Sequence, residues 1–214
     1  MLPRLALVDP QLTYDLPREI TASTGLDALT QLIEPFVSSR ANTMTDSLCL
    51  EGLVPVARSL RKVLANPHDV EARENMCVAS LFGGLALANA GLGAVHGLAG
   101  PIGGMFPAPH GAVCAALLWQ VMDENLSALS DREPAHPSLK RYDQVARILT
   151  GNPESQARQG VEWVRKLVQD CQIPPLRNYG IAQRDIDTVV PKALQASSMK
   201  ANPVKLTDKE VARV

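Results

Sequence analysis

The middle of this chain lacks charge. From Asn75 to Met122 there is no Asp, Glu, Lys or Arg. Aromatic residues are also scarce, at 4% of 214 residues, so the core must be built from Ala, Leu, Val and Gly, which let helices approach closely. The four cysteines, Cys49, Cys77, Cys114 and Cys171, are scattered without a CxxC pair. That spacing excludes a disulfide framework and a zinc ribbon, and it points to reduced, buried thiols in a cytoplasmic protein. Basic and acidic residues balance at 21 and 22, which removes the clustered positive charge that nucleic-acid binding needs. Met1-Leu2-Pro3-Arg4 has no basic segment followed by a long apolar run, so it does not read as a secretory leader.

The uncharged stretch is long enough to span a membrane, for which about 20 apolar residues suffice. However, Asn75, Ser80 and Asn89 interrupt it, glycines recur through it, and no aromatic belt or basic flank marks its ends. A buried helix in a globular protein fits better, and 46% hydrophobic with 20% charged residues is a globular composition.

Helical spacing dominates. Leu26, Leu29, Ile33 and Phe36 form one apolar stripe in a helix opening near Thr21, which Pro35 should kink or end. Further helices are predicted over 46–64, 70–89, a short stretch around His96, 110–129, 139–149, 154–170, 183–195 and from Thr207 onward. Pro101 to Pro109 should be a loop. Leu5 to Val8, closed by Asp9-Pro10, reads as a short strand. The expected fold class is all-α, with residues 1–15 a strand and linker and residues 16–214 a helical domain.

Two histidines, His96 and His110, sit in the uncharged stretch, joined by a Gly/Pro-rich segment that can fold back. His68 and His136 neighbour prolines in polar loops and read as surface residues. A pair of imidazoles in an apolar segment suits either a satisfied core or a metal, since imidazole is a common ligand for zinc and iron. Asp27 lies inside an apolar helical segment, where a lone carboxylate is costly unless it is paired or metal-bound. It could equally be a first-turn cap. Gln31, four residues on, shares its face. Gly91-x-Gly93-x-x-His96 follows a helix rather than a strand, so it reads as packing glycine and not as a dinucleotide fingerprint.

Two segments carry a resemblance: Thr21-Ala-Ser-Thr-Gly-Leu-Asp-Ala-Leu-Thr-Gln-Leu-Ile-Glu-Pro and Val95-His-Gly-Leu-Ala-Gly-Pro-Ile-Gly-Gly-Met-Phe-Pro-Ala-Pro-His-Gly-Ala. Together with Val8-Asp9-Pro10 and Lys200-Ala-Asn-Pro, they resemble the iron-containing (group III) alcohol dehydrogenases, over the carboxy-terminal half of a family member. The resemblance implies the helical C-terminal domain of the dehydroquinate synthase-like fold and a partner nucleotide-binding domain that holds NAD(P). It also implies a homodimer, and a substrate that is a small alcohol, aldehyde or ketone. It implies a divalent metal, Fe²⁺ or Zn²⁺, held by Asp27, His96 and His110. Gln31 stands where the family has a further histidine ligand and could act as a weak neutral one. Gly100 replaces a family histidine near the substrate, and Gly100 and Phe106 are pocket candidates. The similar glycerol dehydrogenases hold zinc with one aspartate and two histidines. The implied chemistry is Lewis-acid activation of the substrate oxygen with hydride transfer to or from the nicotinamide. The chain alone is expected to be weak or inactive. The alternative is a metal-free helical module descended from such an enzyme.

Overall fold

A computed structural model describes residues 5–214; the reading of Met1 to Arg4 falls outside them. Among the described residues there are nine α-helices and no strand. They are α1 (Arg18–Val37), α2 (Thr43–Ala65), α3 (Val70–Ala90), α4 (Ala94–Met105), α5 (His110–Arg132), α6 (Pro137–Thr150), α7 (Ala157–Asp170), α8 (Ile186–Gln195) and α9 (Asp208–Arg213). Short 3-10 turns fill several connections.

Helix α1 is the axis. Leu26, Leu29, Leu32, Ile33 and Phe36 are almost completely buried on its several faces. It packs against α2, α3, α5 and α6, while α4 lies on α5 and α8, and α6 on α7. Local chemistry sets the boundaries. Asn42 and Thr45 form a reciprocal capping box at α2, Asp69 accepts from Ala72 N at α3, and Thr207 with Glu210 closes a box at α9. Gly151, at φ 69°, ends α6 in the left-handed conformation that favours glycine.

Two expectations need correction. The predicted strand over Leu5–Val8 is irregular chain with Leu5 and Leu7 exposed, followed by a 3-10 turn at Pro10–Thr13. A strand needs a neighbour to accept its hydrogen bonds, and these residues have none. The predicted loop from Pro101 is instead the second half of α4, and the loop begins only at Phe106. Proline normally excludes helical backbone from the residue before it by clashing with that residue's Cβ. Here that residue is Gly100, which has none, and buried Leu98, Ala99 and Ile102 hold this helix to the core. Pro35, in turn, precedes the end of α1 by only two residues.

The uncharged stretch is not uniformly interior. Helix α5 is buried through Ala112–Leu118, but Val78, Leu81 and Leu85 on α3 are about two-fifths exposed. Among the described residues no single helix is long and apolar enough to cross a membrane. The pair α3 and α4 has the apolar length together but is bent by 99° between its halves.

The start of α5 is pressed onto α1. A Cβ added at Gly111 would stand 2.8 Å from the backbone oxygen of Ser23, which cannot swing aside as a side chain could. Alanine is ordinarily favoured over glycine in a helix by up to about 1 kcal/mol. The clash should reverse that sign. Gly111→Ala is expected to destabilise the chain by about 1–3 kcal/mol in urea unfolding. Neutrality or stabilisation would show that α5 does not seat this closely.

Candidate metal centre

Three helices converge on one point. Asp27 comes from the middle of α1, His96 from the first turn of α4 and His110 from the first residue of α5. The Asp27 Oδ1 atom lies 3.3 Å from His96 Nε2 and 3.9 Å from His110 Nε2. The two imidazole rings are tilted by 52° with centroids 5.3 Å apart. The residues named from sequence are therefore brought together from positions far apart in the chain. His96 is buried, but the His110 side chain is 52% exposed, because it opens α5 beside the Phe106–Pro109 loop. The cluster thus has a closed side and an open side.

Two residues that carried no role in the sequence reading complete the cluster. The first is Glu34, almost entirely buried on α1, two helical turns beyond Asp27. Its Oε2 lies 2.6 Å from His96 Nδ1, and its Oε1 accepts from Val95 N at 2.7 Å. A carboxylate at the first turn of a helix is favoured by the unpaired N–H groups and the dipole there. Ala94 N, beside it, donates to Asn202 Oδ1, and Asn202 is itself held by Asn125 and Val204 O. Gly93 must be glycine here, because a Cβ would meet Asn202 Oδ1 and Glu34 Oε1 at 2.9 Å each. The glycines read as packing residues are thus a junction, with Gly91, at φ 72°, ending α3.

The second is Cys114, one turn after His110 on α5 and on the same face. It is buried, with Sγ 3.5 Å from His110 Nε2 and 3.8 Å from His96 Nε2. Asp27, His96, His110 and Cys114 each offer one donor atom, all within 4.8 Å of one another. The signals for both residues were present in the sequence: an acid seven positions from another acid on a buried helix, and a His-x-x-x-Cys spacing. Gln31 occupies a different place. Its amide nitrogen donates to Asp27 Oδ2 at 3.1 Å, so it steadies the carboxylate from behind. Gly100 lies one turn along α4 from His96, exposed, with nothing within 4 Å of the position its Cβ would take. Phe106 is half-buried against the core at the end of α4. Of the remaining histidines, His68 is exposed beside Tyr14, and His136 caps α6 by accepting from Ser138 N.

The electrostatics of His96 test whether the cluster suits a cation. Glu34 accepts the proton on Nδ1, so a neutral ring would turn a lone pair from Nε2 toward Asp27 Oδ1. Two acceptors would then face each other, and Oδ1 would be a buried oxygen without a donor. A second proton on the ring removes the conflict, and so does a metal ion. Burial opposes the charged ring, but Asp27, Cys114 and Glu34 together outweigh it and push His96 up to about 12. Because the pKa is raised, the resulting stability is complete below the ordinary imidazole value of about 6.5 and is lost as pH climbs toward about 12. Burial likewise pushes the Cys114 thiol up to about 11. The metal-free cluster therefore holds protons where a divalent ion would sit, and its donor set of carboxylate oxygen, two imidazole nitrogens and sulfur fits zinc or iron.

These features define a helical domain with a candidate metal cluster at the meeting point of three helices. A family model described as the Fe-containing alcohol dehydrogenase family, C-terminal, matches residues 21–214. The 1,3-propanediol dehydrogenase of Citrobacter freundii is 33% identical across 100% of this chain and 54% of its own length. Alcohol dehydrogenase 4 of Schizosaccharomyces pombe is 35% identical across 100% of this chain and 49% of its own. Among solved structures, an alcohol dehydrogenase from Oenococcus oeni superposes with a TM-score of 0.87 at 34% identity, covering 96% of this chain and 53% of that one. The chain belongs to the iron-containing alcohol dehydrogenase family, as its C-terminal domain. It spans about half the length of the curated relatives it matches.

Replacing Glu34 by Gln keeps the shape but puts an amide nitrogen opposite either Val95 N–H or the His96 ring. The expected cost is about 1–3 kcal/mol in unfolding free energy, with metal affinity weakened by about 10–100-fold in competition against a chelator. Unchanged affinity would mean that Glu34 does not orient His96.

Proposed function

We propose that this chain is the metal- and substrate-binding half of an NAD(P)-dependent alcohol dehydrogenase that also reduces aldehydes or ketones. One observation carries the reading. Three helices of a family member deliver Asp27, His96 and His110 to a single point, and the buried Asp27 Oδ1 lacks a donor there unless a cation is present. The chain's own residues perform the binding and orienting. Asp27 Oδ1, His96 Nε2 and His110 Nε2 hold a divalent ion. Glu34 fixes the tautomer and ring plane of His96, so its Nε2 lone pair points inward. Gln31 holds Asp27 through Oδ2 and leaves Oδ1 free. The ion supplies Lewis-acid polarisation of the substrate oxygen, which makes the alcohol a better hydride donor and the carbonyl a better acceptor.

Substrate approaches from the open side, past His110. The space beside Gly100 and the ring of Phe106 form part of its wall. With glycine at position 100, no side chain there moves a proton, and water on the exposed His110 side takes that task. NAD(P) reaches the centre from a nucleotide-binding domain outside residues 16–214, and the helical domain alone is weak or inactive. The apolar face of α3 around Val78, Leu81 and Leu85 meets that domain or a second protomer of a dimer. The whole protein works in the cytoplasm, where its four free thiols stay reduced.

Loading the purified chain with Zn²⁺ or Fe²⁺ and dialysing should leave one metal per chain by elemental analysis, with Asp27→Ala and His96→Ala reduced to background. No retained metal in the wild-type chain would leave it a metal-free helical module. A stable monomer by light scattering at high concentration would count against the α3 face as a dimer interface and leave it to the nucleotide-binding domain.

A further inference from the structure

We propose that Cys114 is a fourth protein ligand of this centre, binding as a thiolate, and that Gln31 is a positioning residue for Asp27 rather than a ligand. The proposal rests on reading the cluster as a metal site. It adds a residue that takes over the ligand place left by glutamine on α1.

Geometry carries it. Zinc bonds of about 2.0–2.1 Å to imidazole nitrogen and about 2.3 Å to sulfur, at tetrahedral angles, put the donor atoms about 3.3–3.6 Å apart. The Cys114 sulfur already stands 3.5 Å from His110 Nε2 and 3.8 Å from His96 Nε2, and Asp27 Oδ1 stands 3.3 Å from His96 Nε2. With Asp27 Oδ1 3.9 Å from His110 Nε2 and all four donor atoms within 4.8 Å of one another, the set is close to these spacings and would tighten around an ion. Cys114 is fully buried, and its polar partners among the described residues are these two ring nitrogens. Gln31, in contrast, presents an amide nitrogen to Asp27 Oδ2, and a group that donates there does not turn its oxygen to the same centre.

A divalent ion, Asp27 and one thiolate are neutral as a ligand set, and Glu34 adds a negative charge behind His96 that is spread over Val95 N–H and the first turn of α4. On binding, the Cys114 S–H bond is replaced by a sulfur–metal bond and the His96 Nε2–H by a nitrogen–metal bond, and both protons leave to solvent on the open His110 side. Two consequences follow. A thiolate is a soft ligand, so it raises preference for zinc over ferrous iron. It would also occupy the position that three-ligand zinc sites leave open, so a substrate oxygen would have to add as a further donor.

Cobalt(II) reports on this directly. The wild-type chain loaded with one equivalent of Co²⁺ should show visible ligand-field bands together with an intense near-ultraviolet thiolate-to-cobalt charge-transfer band. Cys114→Ser should lose the charge-transfer band but keep bound cobalt through Asp27, His96 and His110. Cys77→Ser, at a half-buried thiol, should keep the band. When zinc and ferrous iron are offered together without oxygen, the bound zinc-to-iron ratio should fall in Cys114→Ser relative to wild type. Cobalt bound to the wild-type chain with ligand-field bands alone would overturn the Cys114 assignment and leave the three-residue site standing. Persistence of the charge-transfer band in Cys114→Ser would also overturn it. Failure of the wild-type chain to bind cobalt at all would overturn the metal site itself. Because the decisive band is read in the wild-type chain, misfolding of a variant cannot mask the result.

Discussion

Glu34 against His96 Nδ1 is the contact on which the rest of the centre depends. It joins the second half of α1 to the first turn of α4, and the same carboxylate accepts from Val95 N. That single side chain fixes where α4 begins, which ring nitrogen of His96 carries a proton and which way the other points. Gly93 is glycine because the carboxylate and Asn202 leave no room for a Cβ. Asn202 reaches the same turn from near the end of the chain, so distant segments close on one spot. Burying a carboxylate this deeply is costly unless its oxygens are satisfied, and here both are.

With Nδ1 committed to Glu34, Nε2 meets a second carboxylate at Asp27. Acid on both sides of one buried ring leaves a place that only positive charge can occupy comfortably. In the absence of metal that charge is a proton, and the His96 pKa of about 12 expresses how strongly it is held. A divalent ion must displace it, so affinity should weaken as pH falls. His110 and Cys114, on one face of α5, supply the opposite wall. Their position follows from the close seating of α5 on α1 at Gly111 and Ser23.

Much of this was legible in the residues. The helical spacing of apolar residues predicted α1, α2, α3 and α9 to within a few positions. Asp27, His96 and His110 were singled out because a buried acid and two imidazoles in an uncharged setting need a reason. What failed was tertiary. Leu5 to Val8 has the pattern of a strand but no partner among these residues, and Pro101 was expected to break a helix that Gly100 permits. Glu34 and Cys114 were missed because their roles exist only across helices. Glu34 sits in a segment whose capping and periodicity already explained it, and a lone buried cysteine looks like core until its neighbours are known. The uncharged stretch, expected to be interior throughout, exposes Val78, Leu81 and Leu85 on α3.

The facing of Asp27 Oδ1 and His96 Nε2 calls for a cation between them, a proton when no metal is bound. Nitrogen-15 shifts of the His96 ring, recorded at neutral pH on the histidine-labelled chain before and after zinc, test it most directly. The metal-free chain should show both ring nitrogens protonated. One equivalent of zinc should remove the Nε2 proton and leave the Nδ1–H that faces Glu34. A neutral His96 ring in the metal-free chain, unchanged by zinc, would contradict the account.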